Sequence, residues 1–332
     1  MKRVIEGFLV ALVLAAVTVT PVRAADTETK ASGAVAEATK YFERANKFVE
    51  AGSLPRAKQE YEKAIKIYPK YLDAYYNLGV VCEKLGEKSG AIEQYKHYLE
   101  IKPDDADVWN QIGVLYDETG SKMEARNAYG KALDINPKYG RAHHNLGVLL
   151  KEDGDLKGAE EHLAKFVKLE EEAGRQDGDA YYSLGILYLQ ESRDKDAKLL
   201  LQKAIDTDPS VSHYNNAMGD TYLVEKRPDL SLVYYQKALE KDPNYVMAYS
   251  GLGDAYAQLN ERDKALTAYH KALEMRPDYA LVYYKLGLFY EDTNATEAIK
   301  NFQKYLQSGR TIEYRDEVAA KIEALKLSSN KP

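Results

Sequence analysis

The residues best suited to metal binding, nucleophilic attack or proton transfer in this chain are six histidines, one cysteine and 52 carboxylates. The histidines are His97, His143, His144, His162, His213 and His270, and no two stand four residues apart, the spacing by which one helical face offers two imidazoles to an ion. His143 and His144 are adjacent and so point to different faces. His143 falls at an apolar core phase, which predicts one packed imidazole and one that faces outward. Cys82 falls on an apolar face, where a thiol packs as a small hydrophobe, and a lone cysteine excludes an intrachain disulfide. Carboxylates in this number pair by chance on helical surfaces, so a solvated face is their expected place. Phosphate-cradling loops need glycines between a strand and a helix, and the glycines here lie inside helical patterns instead. No catalytic constellation, metal site or cofactor is therefore expected.

Net charge is −6, with 46 basic residues against 52 acidic ones. That balance argues against nucleic acid, which demands a concentrated basic surface. The first residues have the order of a secretory signal: Lys2 and Arg3, an apolar run from Phe8 to Val19, Pro21, then Val22, Arg23 and Ala24 before a cut ahead of Ala25. Cleavage of residues 1–24 leaves a chain two charges more acidic and without a membrane span. No cysteine follows the apolar run to carry a lipid. The expected location is the periplasm or the exterior, and the expected partner is protein.

What positions these residues is a ladder of glycines. Gly79, Gly113, Gly147, Gly185, Gly219, Gly253 and Gly287 are spaced by 34 residues, except for the 38 between Gly147 and Gly185. A fixed period in this range marks a solenoid whose units bury their faces on one another. Around each glycine the pattern is helical. Tyr75, Leu78, Gly79 and Cys82 share one face of a first helix, and Ala91, Tyr95 and Tyr98 share one face of a second. A turn at 85–89 joins them, Pro103 closes the unit, and Asp104 or Asp105 caps the next helix. With each glycine at position 8, eight units fall at 38–71, 72–105, 106–139, 140–177, 178–211, 212–245, 246–279 and 280–312. Residues 25–37 read as a linker, 313–327 as a capping helix and 328–332 as a loose tail. The extra residues at 174–178 divide the array into four units and four, as a tolerated loop, a hinge or a contact site.

The set Tyr75, Leu78, Gly79, Ala91, Tyr95 and Pro103 resembles the tetratricopeptide repeat. Trp109, Ile112, Gly113, Tyr116, Ala125, Tyr129, Ala132 and Pro137 in the third unit match it further, as do Tyr249, Leu252, Gly253, Tyr256, Ala265, Tyr269, Ala272 and Pro277 in the seventh. The resemblance implies an all-α, right-handed α-solenoid superhelix that binds proteins without catalysis. It also implies a concave groove lined by positions 2, 5, 6, 9, 12 and 13 of the first helices. Carried over, position 5 supplies Tyr76, Asn110, His144, Tyr182 and Asn216, position 6 supplies Asn77, Gln111 and Asn145, and position 9 supplies Val80, Val114 and Val148. Asn77, Gln111 and Asn145 resemble the start of the asparagine ladder of O-linked N-acetylglucosamine transferases, which ends here at Ser183 and Ala217. Such side chains can meet the N–H and C=O of an extended peptide, or simply suit a wet groove. The carboxylate clamp of chaperone-binding members is not expected, because Phe42, Asp107 and Gln111 stand where it needs basic residues. Eleven acids against four basic residues at the groove phases of units two to eight favour a neutral or basic segment over an acidic one. Groove tyrosines stacking on sugar rings, in an accessory subunit of envelope polysaccharide or peptidoglycan machinery, are the alternative.

Overall fold

The computed structural model describes residues 28–308 and 314–329. Among the described residues there are 17 α-helices and no strand. The predicted leader, 1–24, and the start of the predicted linker lie outside them. The rest of that linker is not extended chain: α1 (Glu28–Glu50) begins ahead of the first repeat, because Glu28, Lys30, Ala31, Ala34 and Ala36 are strong helix formers.

The chain divides into two compact units, one ending at Pro103 and the other starting at Asp104. In the first, α1 pairs with α2 (Leu54–Ile67), and α3 (Leu72–Lys84) with α4 (Lys88–Ile101). In the second, the pairs are α5 (Ala106–Glu118) with α6 (Lys122–Ile135), α7 (Gly140–Glu152) with α8 (Leu156–Glu172), α9 (Gly178–Gln190) with α10 (Asp194–Thr207), and α11 (Ser212–Val224) with α12 (Pro228–Lys241). The series continues with α13 (Val246–Gln258) against α14 (Arg262–Met275) and α15 (Ala280–Tyr290) against α16 (Ala295–Gln307), and α17 (Arg315–Ser329) packs on α16. Val318 and Ile322 of α17 are buried with Phe302 and Tyr305, and the helix extends through Ser328 and Ser329, where a loose tail was expected.

The break between compact units follows the second repeat, not the 174–178 stretch. There a single core runs from Leu163, Phe166 and Val167 of α8 into Ala180, Tyr181 and Leu184 of α9. The extra residues lengthen α8 and its turn outside that core. Asp177 then caps α9 by accepting from the Ala180 N–H at 2.9 Å. Asp105 caps α5 in the same way through Val108.

From α3 and α4 onward, each hairpin closes where a core side chain of the second helix lies against the glycine of the first. In the first unit Tyr95 lies against Gly79, and in the second Tyr269 lies against Gly253 so closely that a Cβ on the glycine would sit 2.4 Å from a ring carbon. Tyr129, Tyr235 and Phe302 take the same place on Gly113, Gly219 and Gly287. The fourth and fifth repeats use Leu163 and Leu201. Within the second unit, α5, α7, α9, α11, α13 and α15 each pack on the next, which the second helices do not do to the same degree. The first helices therefore line its inner, concave face.

Gly253→Ala should overpack this contact and lower stability by about 1–3 kcal/mol. Gly130→Ala, in α6 with nothing within 4 Å, should instead raise it by up to about 1 kcal/mol through helix propensity. Thermal or urea unfolding of the two variants distinguishes them by sign.

Candidate functional site

The side chains assigned to the groove divide into those the structure exposes and those it buries. In the first compact unit Tyr76 is 42% exposed, its ring tilted against Tyr95 and Tyr98 at 5.8 Å. Asn77 is half-buried and bonds the Tyr61 hydroxyl, which also donates to Asn46 at 2.5 Å; burial pushes that phenol up to about 12. Val80 is half-buried beside them.

In the second unit Gln111, Val114, His144, Asn145, Val148 and Tyr182 are half-buried on the inner face. Asn110 and Asn216 are not displayed there. Each is only 6% exposed, because position 5 faces the neighbouring first helix as well as the groove. The Asn110 oxygen accepts from the Asn145 amide at 3.0 Å, so two candidate peptide contacts form a rung between α5 and α7. His144 meets the Ser183 hydroxyl at 3.0 Å, bridging α7 and α9, and burial holds its imidazole below the usual range. Tyr182 is edge-on to His213 at 4.8 Å and packs on Tyr214 at 5.5 Å.

Further along the face the position-9 carboxylates are anchored from below. The ring of Tyr235 passes under Gly219 and its hydroxyl donates to Asp220 at 2.6 Å, and Tyr269 passes under Gly253 to donate to Asp254 at 2.6 Å. Lys285 of α15 forms an ion pair with Asp254 and donates to the Ser250 hydroxyl at 2.9 Å. Asn216 donates to Asp220 at 3.0 Å, and its own Oδ1 has no donor. A buried oxygen left so costs about 1–3 kcal/mol. The Asp220 side chain is exposed on its solvent side, and the helices on its other sides displace part of its hydration. That enclosure pushes its carboxyl up to about 6, with Asp254 adding to the push and Tyr235 and Lys285 opposing it. On α9, Asp179 accepts from Tyr214 at 2.7 Å and is held below the ordinary carboxylate range, chiefly by His213.

These tyrosine-to-carboxylate bonds were not among the contacts expected from spacing. A partial signal for them exists: Tyr235 and Tyr269 occur with Asp220 and Asp254, and Leu163, Leu201 and Phe302 with Val148, Ile186 and Leu288, but Tyr95 and Tyr129 occur with Val80 and Val114. The structure also joins two histidines 19 residues apart. His143 donates from Nε2 to the Pro137 carbonyl at 3.1 Å, so its Nδ1 accepts from His162 Nδ1–H at 2.9 Å. Burial depresses both imidazoles. Among the described residues no three His, Cys, Asp or Glu side chains converge as a metal site, and no helix is long and apolar enough to cross a membrane. The 174–178 stretch borders an open pocket of about 660 Å³ between Asp107, Arg141 and Arg175. Arg175 there is held in a two-point ion pair by Glu170, at 2.6 and 2.8 Å.

The raised Asp220 carboxyl has a consequence for stability. Its value moves from 3.8 to about 6 on folding, so between these pH values the folded chain holds the proton more tightly than the unfolded chain does. Folding stability contributed by this group is present below pH ~4 and is lost as pH rises through ~6. Asp220→Asn should gain melting temperature relative to the parent as pH rises from 4 to 7; a constant difference across that range would refute the assignment.

A family model described as TPR repeat matches residues 45–86 and 253–294. Two described as tetratricopeptide repeat match 72–105, 106–139 and 178–211, and 128–161 and 234–267. Together these stretches span more than half of the chain. Among solved structures, the chain is similar to a tetratricopeptide repeat protein from Parabacteroides merdae, with a TM-score of 0.62 and 19% identity over 76% of this chain and 98% of that one. It is similar also to a chain of the APC/C hetero-tetramer Cut9–Hcn1 (TM-score 0.60, 19% identity, 82% of this chain), of which it spans 52%. Yeast Tom70 has a TM-score of 0.58 at 17% identity, over 84% of this chain and 60% of that one. At these identities the likeness is one of fold. No curated protein sequence matches. Helix pairing, the glycine contacts and these matches agree: the hairpins are tetratricopeptide repeats, and the chain belongs to the tetratricopeptide-repeat family.

Proposed function

We propose that the chain is a non-enzymatic scaffold or assembly factor that binds a neutral or basic extended protein segment along the inner face of its first helices. The observation that carries this reading is the row of anchored acceptors on that face. Asp179, Asp220 and Asp254 come from successive repeats, and a core hydroxyl holds each one in place. Pre-set acceptors reduce the ordering cost of binding. Acceptors of one sign favour N–H donors and basic side chains over an acidic tail.

Two of the three groove tyrosines, Tyr182 and Tyr284, support protein over sugar. Stacking on a sugar ring needs a flat, open aromatic face, but one face of Tyr284 is covered by Tyr314 at 4.6 Å and 8°, and Tyr182 is wedged between His213 and Tyr214. The order of residues 1–24 further supports export to the periplasm or exterior. N-terminal sequencing of the protein recovered from its native compartment should then begin at Ala25; an intact Met1 would count against export.

Extended peptides of graded charge, titrated against the full chain, test the binding reading. Neutral and basic peptides should bind, with affinity falling as salt rises. Tyr182→Ala should weaken them about tenfold, a loss typical of one central aromatic contact. Leu199→Ser, on the exposed side of α10, should leave binding unchanged. Preference for acidic peptides, or indifference to Tyr182→Ala, would defeat the proposal.

A further inference from the structure

Two carboxylates stand on the inner face between α11 and α13 with one lysine near them, and the lysine is engaged by Asp254 and Ser250. Asp220, the other carboxylate, accepts from the Tyr235 hydroxyl and the Asn216 amide, both neutral donors, and its open side faces solvent. Beside it the Asn216 Oδ1 is buried and has no donor. The orientation of that amide follows from its neighbour, since turning it over would set two oxygens against each other at Asp220. The cluster thus holds more acceptors than donors and more negative than positive charge.

The surroundings narrow what would correct this. Tyr182 of α9, Tyr245 at the start of α13 and Tyr279 at the start of α15 all lie within electrostatic range of Asp220. A carboxylate open to solvent, with tyrosine rings in electrostatic range, suits an alkyl ammonium or guanidinium, whose charge pairs with the acid. Such a group also brings several N–H donors to one point. A donor arriving at Asp220 is already beside the amide bonded to it.

We propose that Asp220 and Asn216, with the tyrosines around them, form a seat for one lysine or arginine side chain of the bound segment. This rests on the groove reading and specifies a position within it. Asp254 with Lys285 forms the neutralised neighbour that keeps the seat single, and Tyr235 fixes the carboxylate at its floor.

The probes are short extended peptides of alanine, serine and asparagine in which one central residue is Lys, Arg, Gln or Glu, titrated against the parent chain and Asp220→Asn. The parent should prefer the Lys and Arg peptides over the Gln peptide by about tenfold, the size of one close charge pair. Asp220→Asn should remove that preference, so that the Lys, Arg and Gln peptides bind the variant with the same affinity. If the preference survives in Asp220→Asn, the seat is overturned while the groove reading stands. If no peptide binds the parent chain, the groove reading fails and the seat fails with it. Carboxylate carbon NMR of the parent gives an answer independent of the variant's folding. Adding the Lys peptide, but not the Gln peptide, should lower the pH at which Asp220 titrates; an unchanged titration overturns the proposal.

Discussion

An aromatic ring laid against a backbone without a side chain is the contact on which these repeats depend. The two helices of a hairpin approach closely because Gly79, Gly113, Gly219, Gly253 and Gly287 carry no Cβ, and a ring from the second helix fills the space. Tyr95, Tyr129, Tyr235 and Phe302 are among the largest fully buried side chains of the protein. A ring in such a place gains many small dispersion contacts and removes a large apolar area from water. Within each compact unit a repeat packs on its neighbours, so stability is built up from these local closures rather than from one central core.

The same ring connects the core to the surface. A tyrosine passing under its glycine emerges with its hydroxyl at the inner face, where Asp220 and Asp254 accept it. A phenylalanine or leucine in that place delivers no hydroxyl, and Val148, Ile186 and Leu288 leave position 9 apolar there. The inner face of the second unit therefore changes character along its length. It begins with amide and imidazole rungs, Asn110 to Asn145 and His144 to Ser183, and ends with anchored carboxylates and Lys285. Substitution in the core can alter the recognition surface without touching it.

Burial shapes the chemistry of that surface as much as residue type does. His144 and Asp220 both stand where helices displace water, and in both the charged form is disfavoured: the imidazole is held low and the carboxyl high. His143 and His162 share one hydrogen bond for the same reason, since two imidazolium ions could not occupy that contact. Asp179 differs because His213 and the Tyr214 hydroxyl favour its ionised form more than enclosure opposes it. Three inner-face acids or bases thus titrate away from their ordinary values, in directions that their sequence positions alone do not predict.

The period of the glycines, the apolar phases around them and the closing prolines determined the all-helical repeat and the pairing of its helices, because those features are local and recur in register. They determined also that Gly79 and Gly253 serve packing, since each is flanked by core phases such as Leu78 and Cys82, or Leu252 and Tyr256. What only the tertiary structure decided lies between repeats. Asn110 and Asn216 share the phase of the exposed Tyr76 but are buried, because a short amide fits between successive first helices where a longer ring is turned outward. The 174–178 stretch sits at an unbroken core, since the side chains of α8 and α9 meet beneath it whatever the loop length. Hydrogen bonds between residues 15 to 39 positions apart, such as Tyr235 with Asp220 and His144 with Ser183, depend on where two helices come to rest against each other, which spacing along one chain does not specify.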